Sequence, residues 1–352
     1  MKACVLHAVG ELRCEEIPTP SPRQSEALVA VRACGVCGSD IPRVFNKGTY
    51  RFPTIPGHEL AGEVVDVGPD TDRGLIGKRV AVFPLIPCRK CPLCEIGAYT
   101  QCEDYDYLGS RSDGAFAEYV CAPVWNLVPV PEGVSFEEAA MVEPVAVAAH
   151  ALRQAGVDLG DVVLIFGAGP IGLMLGIWAG ICGAAKTLLL DIDEDRLGFA
   201  RGLGFEQVFN PSRGNAIDWL KGIAPRGADL VVEASGSPAA FEQCMLSARP
   251  FGRVVLMGNP AGEMKLSQEA YWAILRNELK VRGTWNSIFS ALPKNEWKLA
   301  LDCMASGRLD VKPLITHRVT LDELPEVLVM MRDRTAFHNK VMCVNREREV
   351  KD

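Results

Sequence analysis

Short runs in which apolar and polar residues alternate mark the first 145 residues of the chain, and clusters of glycine, proline and aspartate separate them. Gly62–Val67 alternates in part, while Ala27–Val31 and Arg79–Phe83 are valine-rich apolar runs, and all three are typical of short strands. A period of two places alternate side chains on one face of a sheet, and the clusters provide the turns. The pattern predicts a β-rich N-terminal region.

From Gly160 onward, apolar strands alternate with helical segments. The predicted strands are Val162–Phe166, Thr187–Asp191, Gln207–Phe209, Leu230–Ala234, Arg253–Met257 and Leu279–Arg282. The predicted helices between them are Ile171–Cys182, Glu194–Leu203, Asn215–Ile223, Pro238–Ala248 and Gln268–Leu275. Because helical crossovers join the strands, we predict an α/β fold with a doubly wound parallel sheet. The C-terminal segment adds predicted helices Glu296–Ser306 and Leu321–Arg334 and a strand, Lys340–Val344.

One stretch, Val162–Ala185, carries no charged residue, as a membrane-spanning helix would. Six glycines and Pro170 interrupt it and divide it into a strand, a tight turn and a second apolar segment. We therefore predict no membrane span.

Length and composition narrow the class of protein. A chain of 352 residues exceeds what one hydrophobic core usually supports, so two domains are expected. The net charge of −7, without basic runs, argues against nucleic acid as a partner. Thirteen clustered cysteines, with no apolar leader after Met1, argue against a secreted disulfide framework. Metal binding in the reducing cytoplasm is the better interpretation.

The segment GAGPIG, residues 167–172, lies between a predicted strand and a predicted helix. Glycines there allow a tight turn and close approach of the backbone to a pyrophosphate, and the helix N-terminus favours its charge. An acidic residue ends the next strand, as a dinucleotide site requires. The predicted cofactor-binding residues are Gly167, Gly169, Pro170, Ile171, Gly172 and Asp191.

Asp191 also predicts which dinucleotide binds. A carboxylate at this strand end accepts hydrogen bonds from ribose hydroxyls and repels a 2′-phosphate, so NAD is favoured over NADP. Arg196 lies either against the adenosine or on the exposed face of the next helix, and the sequence supports both positions equally.

Four cysteines lie within fifteen residues, and their spacing is C-x2-C-x2-C-x7-C. Four thiolates close a tetrahedron around zinc and leave no open position, so the spacing predicts a structural zinc site. An iron–sulfur cluster and unligated thiols are the alternatives. The predicted ligands are Cys88, Cys91, Cys94 and Cys102.

A second group of metal-binding residue types is dispersed: Cys34 and Cys37, His58-Glu59, and Glu143 much later. Three such ligands would leave an open position for substrate on a catalytic zinc. From spacing alone, a structural His–Glu pair or a redox pair of cysteines explains the residues as well.

Seven segments then identify a family. In chain order they are ACGVCGSD (33–40), GHELAGEVVDVG (57–68), CRKCPLCEIGAYTQC (88–102), DGAFAEY (113–119), EPVAVAAHAL (143–152), GAGPIG (167–172) and LLLDIDEDRL (188–197). With them the sequence resembles the zinc-dependent medium-chain dehydrogenase/reductase family. The resemblance implies a GroES-like catalytic domain over residues 1–145 and 287–352, around an inserted Rossmann NAD-binding domain over residues 146–286.

The resemblance also implies roles for individual residues. It assigns a catalytic zinc to Cys37, His58 and, in the polyol-dehydrogenase branch, Glu59 and Glu143. Cys34 is then a packed thiol. Ser39 matches the residue that accepts the substrate proton. Met257, Gly258 and Asn259 match a loop that lies near the nicotinamide in relatives. NAD and two zinc ions per chain follow, and relatives imply a homo-oligomer, a dimer or tetramer.

The implied reaction is oxidation of a secondary hydroxyl of a sugar alcohol or its phosphate. Pro42 stands where alcohol and sorbitol dehydrogenases usually carry a proton-relay histidine. Arg43 and Arg111 lie in the two segments most like a polyol-phosphate dehydrogenase, and an arginine fork can bind phosphate. Alternatively, both are ordinary surface arginines and the substrate is an unphosphorylated polyol.

Two other classes of protein compete with this interpretation. A non-catalytic member would keep the fold, but the complete set of candidate ligands argues against it. A zinc-ribbon binding protein would carry the cysteine cluster without the dinucleotide site, and the acidic composition disfavours it.

Overall fold

The computed structural model describes residues 1–345. The chain divides into two compact units. The first combines Met1–Glu143 with the chain from Ile288 onward, and the second is Pro144–Ser287. The boundaries expected from sequence, after residues 145 and 286, differ from these by two residues and one residue.

Strands dominate the N-terminal part of the first unit. They are β1 (Lys2–Ala8), β2 (Glu11–Glu16), β3 (Glu26–Gly35), β4 (Glu59–Val67), β5 (Arg79–Val82), β6 (Leu85–Ile86), β7 (Asp106–Tyr107), β8 (Tyr119–Pro123) and β9 (Leu127–Pro129). Its helices are α1 (Asp40–Pro42), α2 (Pro92–Glu95) and α3 (Phe136–Ala140), and α4 (Val142–Ala155) begins at its boundary and continues into the second unit. The α3 N-terminus is a capping box, in which Ser135 and Glu138 each bond the other's backbone N–H.

The second unit is a six-stranded parallel sheet with helical crossovers. Its strands are β10 (Val162–Phe166), β11 (Lys186–Leu190), β12 (Gln207–Phe209), β13 (Ala228–Glu233), β14 (Ala248–Leu256) and β15 (Lys280–Gly283). Its helices are α5 (Pro170–Ile181), α6 (Glu194–Gly202), α7 (Ala216–Ile223), α8 (Pro238–Ser247) and α9 (Gln268–Arg276). The order β12-β11-β10-β13-β14-β15 is that of a doubly wound Rossmann sheet, which confirms the predicted fold class.

The C-terminal segment returns to the first unit with α10 (Glu296–Ala305), β16 (Ile315–Val319), α11 (Leu324–Asp333) and β17 (Lys340–Val344). Its two strands extend a seven-stranded sheet in the order β16-β17-β3-β4-β5-β9, and β8 also pairs with β3. Leu324 and Val341 of this segment share one apolar core with Val29, Leu60 and Phe116. This core of the first unit is therefore built from both ends of the chain.

Two features were not expected from the sequence. Cys4 and Cys14 face each other across the β1–β2 hairpin and form a disulfide. The strand β16 pairs in parallel with β17. None of the helices within residues 1–345 combines the length and hydropathy that crossing a membrane requires.

Candidate metal and dinucleotide sites

Cys37, His58 and Glu59 converge at the end of β3 and the start of β4. Their ligand atoms lie within 4.8 Å of one another. The antiparallel register places Gly35 opposite Glu59, and a Cβ at Gly35 would lie 2.1 Å from a Glu59 carboxylate oxygen. Glycine is therefore required for this approach. A thiolate, an imidazole and a carboxylate at these separations fit one zinc ion.

Asp40 fixes the orientation of the His58 ring. Its Oδ1 lies 3.5 Å from His58 Nδ1, and its Oδ2 accepts the backbone N–H of Cys37 at 2.9 Å. Burial opposes the charged imidazole, but the Asp40 carboxylate outweighs it and raises the pKa of His58 well above its ordinary value. With Nδ1 directed at Asp40, Nε2 is the nitrogen available to a metal.

Lys340 holds the Glu59 carboxylate from the other side of the site. Its Nζ lies 2.8 and 2.7 Å from the two carboxylate oxygens and 3.2 Å from the Val36 carbonyl oxygen. Both side chains are buried. Lys340 compensates the charge of Glu59, and it is a site residue that the sequence analysis did not select.

Among the described residues, the group of ligand atoms within 4.8 Å of one another contains Cys37, His58 and Glu59 but not Glu143. Its side chain is nevertheless buried, and it interacts electrostatically with His58 and Glu59. Burial raises its pKa to about 7, Glu59 acts in the same direction, and His58 opposes. Tyr107 is a second neighbour that the sequence analysis did not select. Its ring centroid lies 5.7 Å from that of His58, and the two ring planes are inclined at 60°.

Ser39 and Arg43 are adjacent in the structure. Arg43 Nη1 donates to Ser39 Oγ at 3.0 Å and to Asp40 Oδ1 at 3.2 Å, and it lies 3.3 Å from His58 Nδ1. One nitrogen of this arginine therefore already has partners within the candidate metal site.

Arg111 occupies a different position. Its guanidinium carbon lies 4.2 Å from the Tyr50 ring centroid and 4.4 Å from that of Tyr105. Within the described part of the chain, its buried Nε has no hydrogen-bond partner. The Arg111 backbone N–H donates to the carbonyl oxygen of Tyr107, which connects this turn to the residue beside His58.

The four-cysteine group forms a compact lobe. Cys88 and Cys94 have their sulfurs 4.0 Å apart, and the Cys91 and Cys102 sulfurs are 3.9 Å apart. A tetrahedral zinc with bonds near 2.3 Å separates its sulfurs by about 3.8 Å, so the group fits zinc. A backbone hydrogen bond from Glu103 lowers the pKa of the Cys91 thiol to about 6, whereas burial raises the pKa of the Cys94 and Cys102 thiols, so the case for zinc rests on the sulfur spacing.

An aromatic cluster supports this lobe. Trp125 lies 5.0 Å from the ring centroids of both Tyr99 and Phe289, and Phe289 stacks on Phe83 at 4.5 Å. Arg89, within the cysteine loop, packs over the Trp125 ring. The lobe is thereby tied to residue 289 of the C-terminal segment.

In the second unit, GAGPIG forms the turn between β10 and α5. Gly167 has φ of 111°, and a Cβ at Gly172 would lie 1.8 Å from the Gly167 carbonyl oxygen. Both positions therefore require glycine. At Gly169, the N-cap of α5, a Cβ would meet no atom closer than 3.7 Å. That open space at a helix N-terminus suits a phosphate, and Pro170 and Ile171 begin the helix.

Asp191 follows β11 and connects to this turn. Its Oδ2 accepts the Ala168 N–H at 2.8 Å, and its Oδ1 accepts the Asp193 N–H at 3.0 Å. Arg196 Nη1 lies 3.5 Å from Asp191 Oδ2. The arginine thus lies beside the carboxylate rather than isolated on the helix surface.

The Met257–Gly258–Asn259 loop follows β14. The N–H groups of Met257 and Gly258 both donate to the Glu233 carbonyl oxygen at 3.0 Å. A Cβ at Gly258 would lie 2.2 Å from the Gly236 nitrogen. Close packing between two loops therefore accounts for this glycine without a ligand.

Comparison with known proteins gives consistent results along the chain. Residues 23–132 match the alcohol dehydrogenase GroES-like domain, and residues 170–306 match the zinc-binding dehydrogenase domain. The chain is 34% identical over 348 residues to galactitol 1-phosphate 5-dehydrogenase of Escherichia coli K12, covering 98% of this chain and 100% of that protein. It is 33% identical over 335 residues to sorbitol dehydrogenase of Bacillus subtilis, and the match covers 93% of this chain and 92% of that protein.

A solved structure agrees with these relatives. The crystal structure of galactitol-1-phosphate dehydrogenase from Escherichia coli superposes with a TM-score of 0.92 at 33% identity, covering 98% of this chain and 100% of that one. Matches of this identity over nearly whole chains establish the family. The chain belongs to the zinc-dependent medium-chain dehydrogenase/reductase family.

Proposed function

We propose that this protein oxidises a secondary hydroxyl of a sugar alcohol or sugar-alcohol phosphate, with zinc and NAD as cofactors. The observation that carries the proposal is the convergence of Cys37, His58 and Glu59 on one zinc-sized group, with Ser39 linked to it through Arg43. Bound zinc would supply Lewis acidity toward the substrate hydroxyl, and bound nicotinamide would accept the hydride. Similarity to polyol dehydrogenases supports the substrate class.

Within this proposal, Cys37, His58 and Glu59 hold the catalytic zinc, and Glu143 is the second carboxylate available to it. Ser39 accepts the proton of the substrate hydroxyl. Asp40 keeps the His58 ring oriented through Nδ1. The second zinc is structural, because four sulfurs leave no open position for a substrate.

NAD is the proposed dinucleotide because Asp191 stands beside the Gly167–Gly172 turn. Its carboxylate would repel the 2′-phosphate of NADP. Arg196 lies within ion-pair distance of that carboxylate and would contact the same ribose. Met257, Gly258 and Asn259 remain proposed neighbours of the nicotinamide half.

Phosphorylation of the substrate is the finer part of the proposal. Arg111 is the stronger phosphate candidate, since its guanidinium packs against two tyrosine rings and its Nε has no partner among residues 1–345. Arg43 is the weaker one, because its Nη1 already donates to Ser39 and Asp40. The similarity to sorbitol dehydrogenase favours the second candidate, an unphosphorylated polyol.

We also propose a homo-oligomer. The strand β15 is exposed along its whole length and forms one edge of the parallel sheet. On the neighbouring helix α9, Tyr271, Trp272 and Leu275 are exposed apolar side chains. An unprotected edge beside apolar side chains favours pairing with a second copy. A cytoplasmic location is proposed because the zinc-binding cysteines must stay reduced, and one disulfide, Cys4–Cys14, among residues 1–345 is not the disulfide framework of a secreted protein.

The test is an NAD-reduction assay of the purified zinc-loaded protein. Galactitol, sorbitol and xylitol are compared with galactitol 1-phosphate and sorbitol 6-phosphate, and zinc per chain is measured in the same preparation. The proposal predicts about two zinc ions per chain and turnover with at least one of these substrates. A zinc-loaded protein that oxidises none of them contradicts it. Size-exclusion chromatography with light scattering tests the oligomer.

A further inference from the structure

Arg43 is held in place from two directions. It begins a π-helical turn, Arg43–Lys47, that directly follows α1. Its Nη1 lies 3.0 Å from Ser39 Oγ and 3.2 Å from Asp40 Oδ1. Asp40 is itself wholly buried and is fixed by the Cys37 N–H. Asp40 therefore anchors the guanidinium beside the Ser39 hydroxyl.

The direction of the hydrogen bond follows from the groups that make it. A guanidinium only donates, so Ser39 Oγ is the acceptor. One lone pair of the serine is then occupied, and its hydroxyl hydrogen points away from Arg43. An unrestrained serine hydroxyl would rotate among several orientations. Here its second lone pair and its O–H bond are left for other partners in fixed directions.

We propose that Arg43 is a positioning residue that fixes the Ser39 hydroxyl for proton transfer, an inference that rests on the proposed dehydrogenase function. The substrate O–H bond breaks, and its proton bonds to the free lone pair of Ser39 Oγ. The former hydroxyl proton of Ser39 passes to water. Bound nicotinamide would accept the hydride, which carries the electron pair of the substrate C–H bond. Arg43 neither gains nor loses a proton in this step.

The neighbouring residue supports this arrangement. Pro42 carries no group that can accept a proton, and the next side chain along the chain is the donor-only Arg43. No protein acceptor follows Ser39 within this segment, Ile41 to Val44. Beyond Ser39, the proposal therefore routes the proton to water, which requires a well-oriented O–H bond.

A double-mutant cycle tests whether Arg43 acts through Ser39. Arg43→Ala, Ser39→Ala and the double variant are compared for kcat and KM with the best substrate of wild type. Each single change is expected to lower kcat roughly 10²-fold with little effect on KM, the size usual for a proton-transfer group. The double variant should lose no more than Ser39→Ala alone, because both changes remove one function. Added guanidinium should restore part of the kcat of Arg43→Ala but none in the double variant.

Further variants keep the result interpretable. Arg43→Lys retains the charge in case Arg43→Ala does not fold, and it should be impaired while binding zinc normally. Arg332→Ala is the matched control, since that arginine packs over Phe45 of the same π-helical turn. Additive losses, rescue that does not need Ser39, or loss of zinc from both Arg43 variants overturns this inference alone. Absence of wild-type turnover overturns the proposed function as well.

Discussion

Lys340 and Glu59 are 281 residues apart in the chain, yet their side chains form a buried ion pair with Nζ and Oε2 2.7 Å apart. The pair joins β17 to the start of β4. Removing one partner leaves the other charge buried without compensation, which usually costs more than the pair itself contributes.

Replacing Lys340 with Met should therefore lower the free energy of unfolding by about 3–5 kcal/mol. Urea unfolding of the zinc-free variant and wild type measures the difference. Lys298→Met is the control, because Lys298 forms an exposed pair with Asp302 on one helix face. That change should cost less than about 0.5 kcal/mol. Equal stability of Lys340→Met and wild type contradicts the prediction.

The two candidate zinc sites should be separable. Cys37→Ala or His58→Ala should abolish turnover and leave a folded protein with about one zinc per chain, because only the open site is lost. Cys91→Ala should instead lower the melting temperature, because a closed thiolate site contributes to folding. Metal analysis and calorimetry distinguish these outcomes. Full activity in Cys37→Ala is incompatible with a catalytic zinc at this position.

Cofactor choice should depend on Asp191. Asp191→Ser removes the charge that repels a 2′-phosphate and the acceptor for ribose hydroxyls. We expect kcat/KM for NAD to fall while the value for NADP rises or holds. Asp193→Ser, which alters the N-cap of α6 on the same loop, is the control. An unchanged NAD/NADP ratio in Asp191→Ser shows that another residue selects the cofactor.

Arg111 should matter only for a charged substrate. Arg111→Ala removes a possible charge-assisted hydrogen bond to phosphate, a loss of about 2 kcal/mol or roughly thirtyfold in kcat/KM. The loss should appear with a sugar-alcohol phosphate and be much smaller with the free polyol. If wild type oxidises free galactitol or sorbitol as efficiently as the phosphate, the protein is an unphosphorylated-polyol dehydrogenase.

The capping box of α3 should make stability depend on pH. Burial opposes the charge of Glu138, but hydrogen bonds from Ser135 and the Lys312 ammonium outweigh it and hold its pKa below the ordinary 4.5. The contribution is therefore present above pH 4.5 and is lost as the pH falls through the lowered pKa. Glu138→Gln keeps a capping side chain but loses the charge that strengthens its hydrogen bonds, so it should be about 1 kcal/mol less stable at pH 7. Urea unfolding at several pH values should show this difference shrinking below about pH 4.5. A difference independent of pH contradicts the assignment.

Sequence patterns predicted the second unit well because its buried strands are continuous apolar runs. Val162–Phe166 is such a run and has its predicted bounds, and the half-buried Gln207–Phe209 also has its predicted bounds. The strand β16 was missed because Ile315–Val319 contains Thr, His and Arg and does not stand out as an apolar run. Glycine turns and cysteine spacing identified local sites for the same reason: their geometry is contained in a few consecutive residues.

The partners of the candidate metal group could not be predicted in this way. Lys340 reaches Glu59 through the pairing of β17 with β3, which no local spacing encodes. Tyr107 reaches His58 from a two-residue strand. The contact between Arg43 and Ser39 spans α1, a helix of three residues that the sequence does not predict.

The split first unit has a consequence for synthesis on the ribosome. Its core and its Glu59–Lys340 pair need β17, which ends at Val344, so the N-terminal 143 residues cannot complete their sheet when they emerge. The second unit is continuous in the chain and has all its strands once Gly283 has been translated. Domains generally fold as units. The second unit should therefore reach its native state first. The N-terminal 143 residues, although translated earlier, complete their fold only after β17 has emerged.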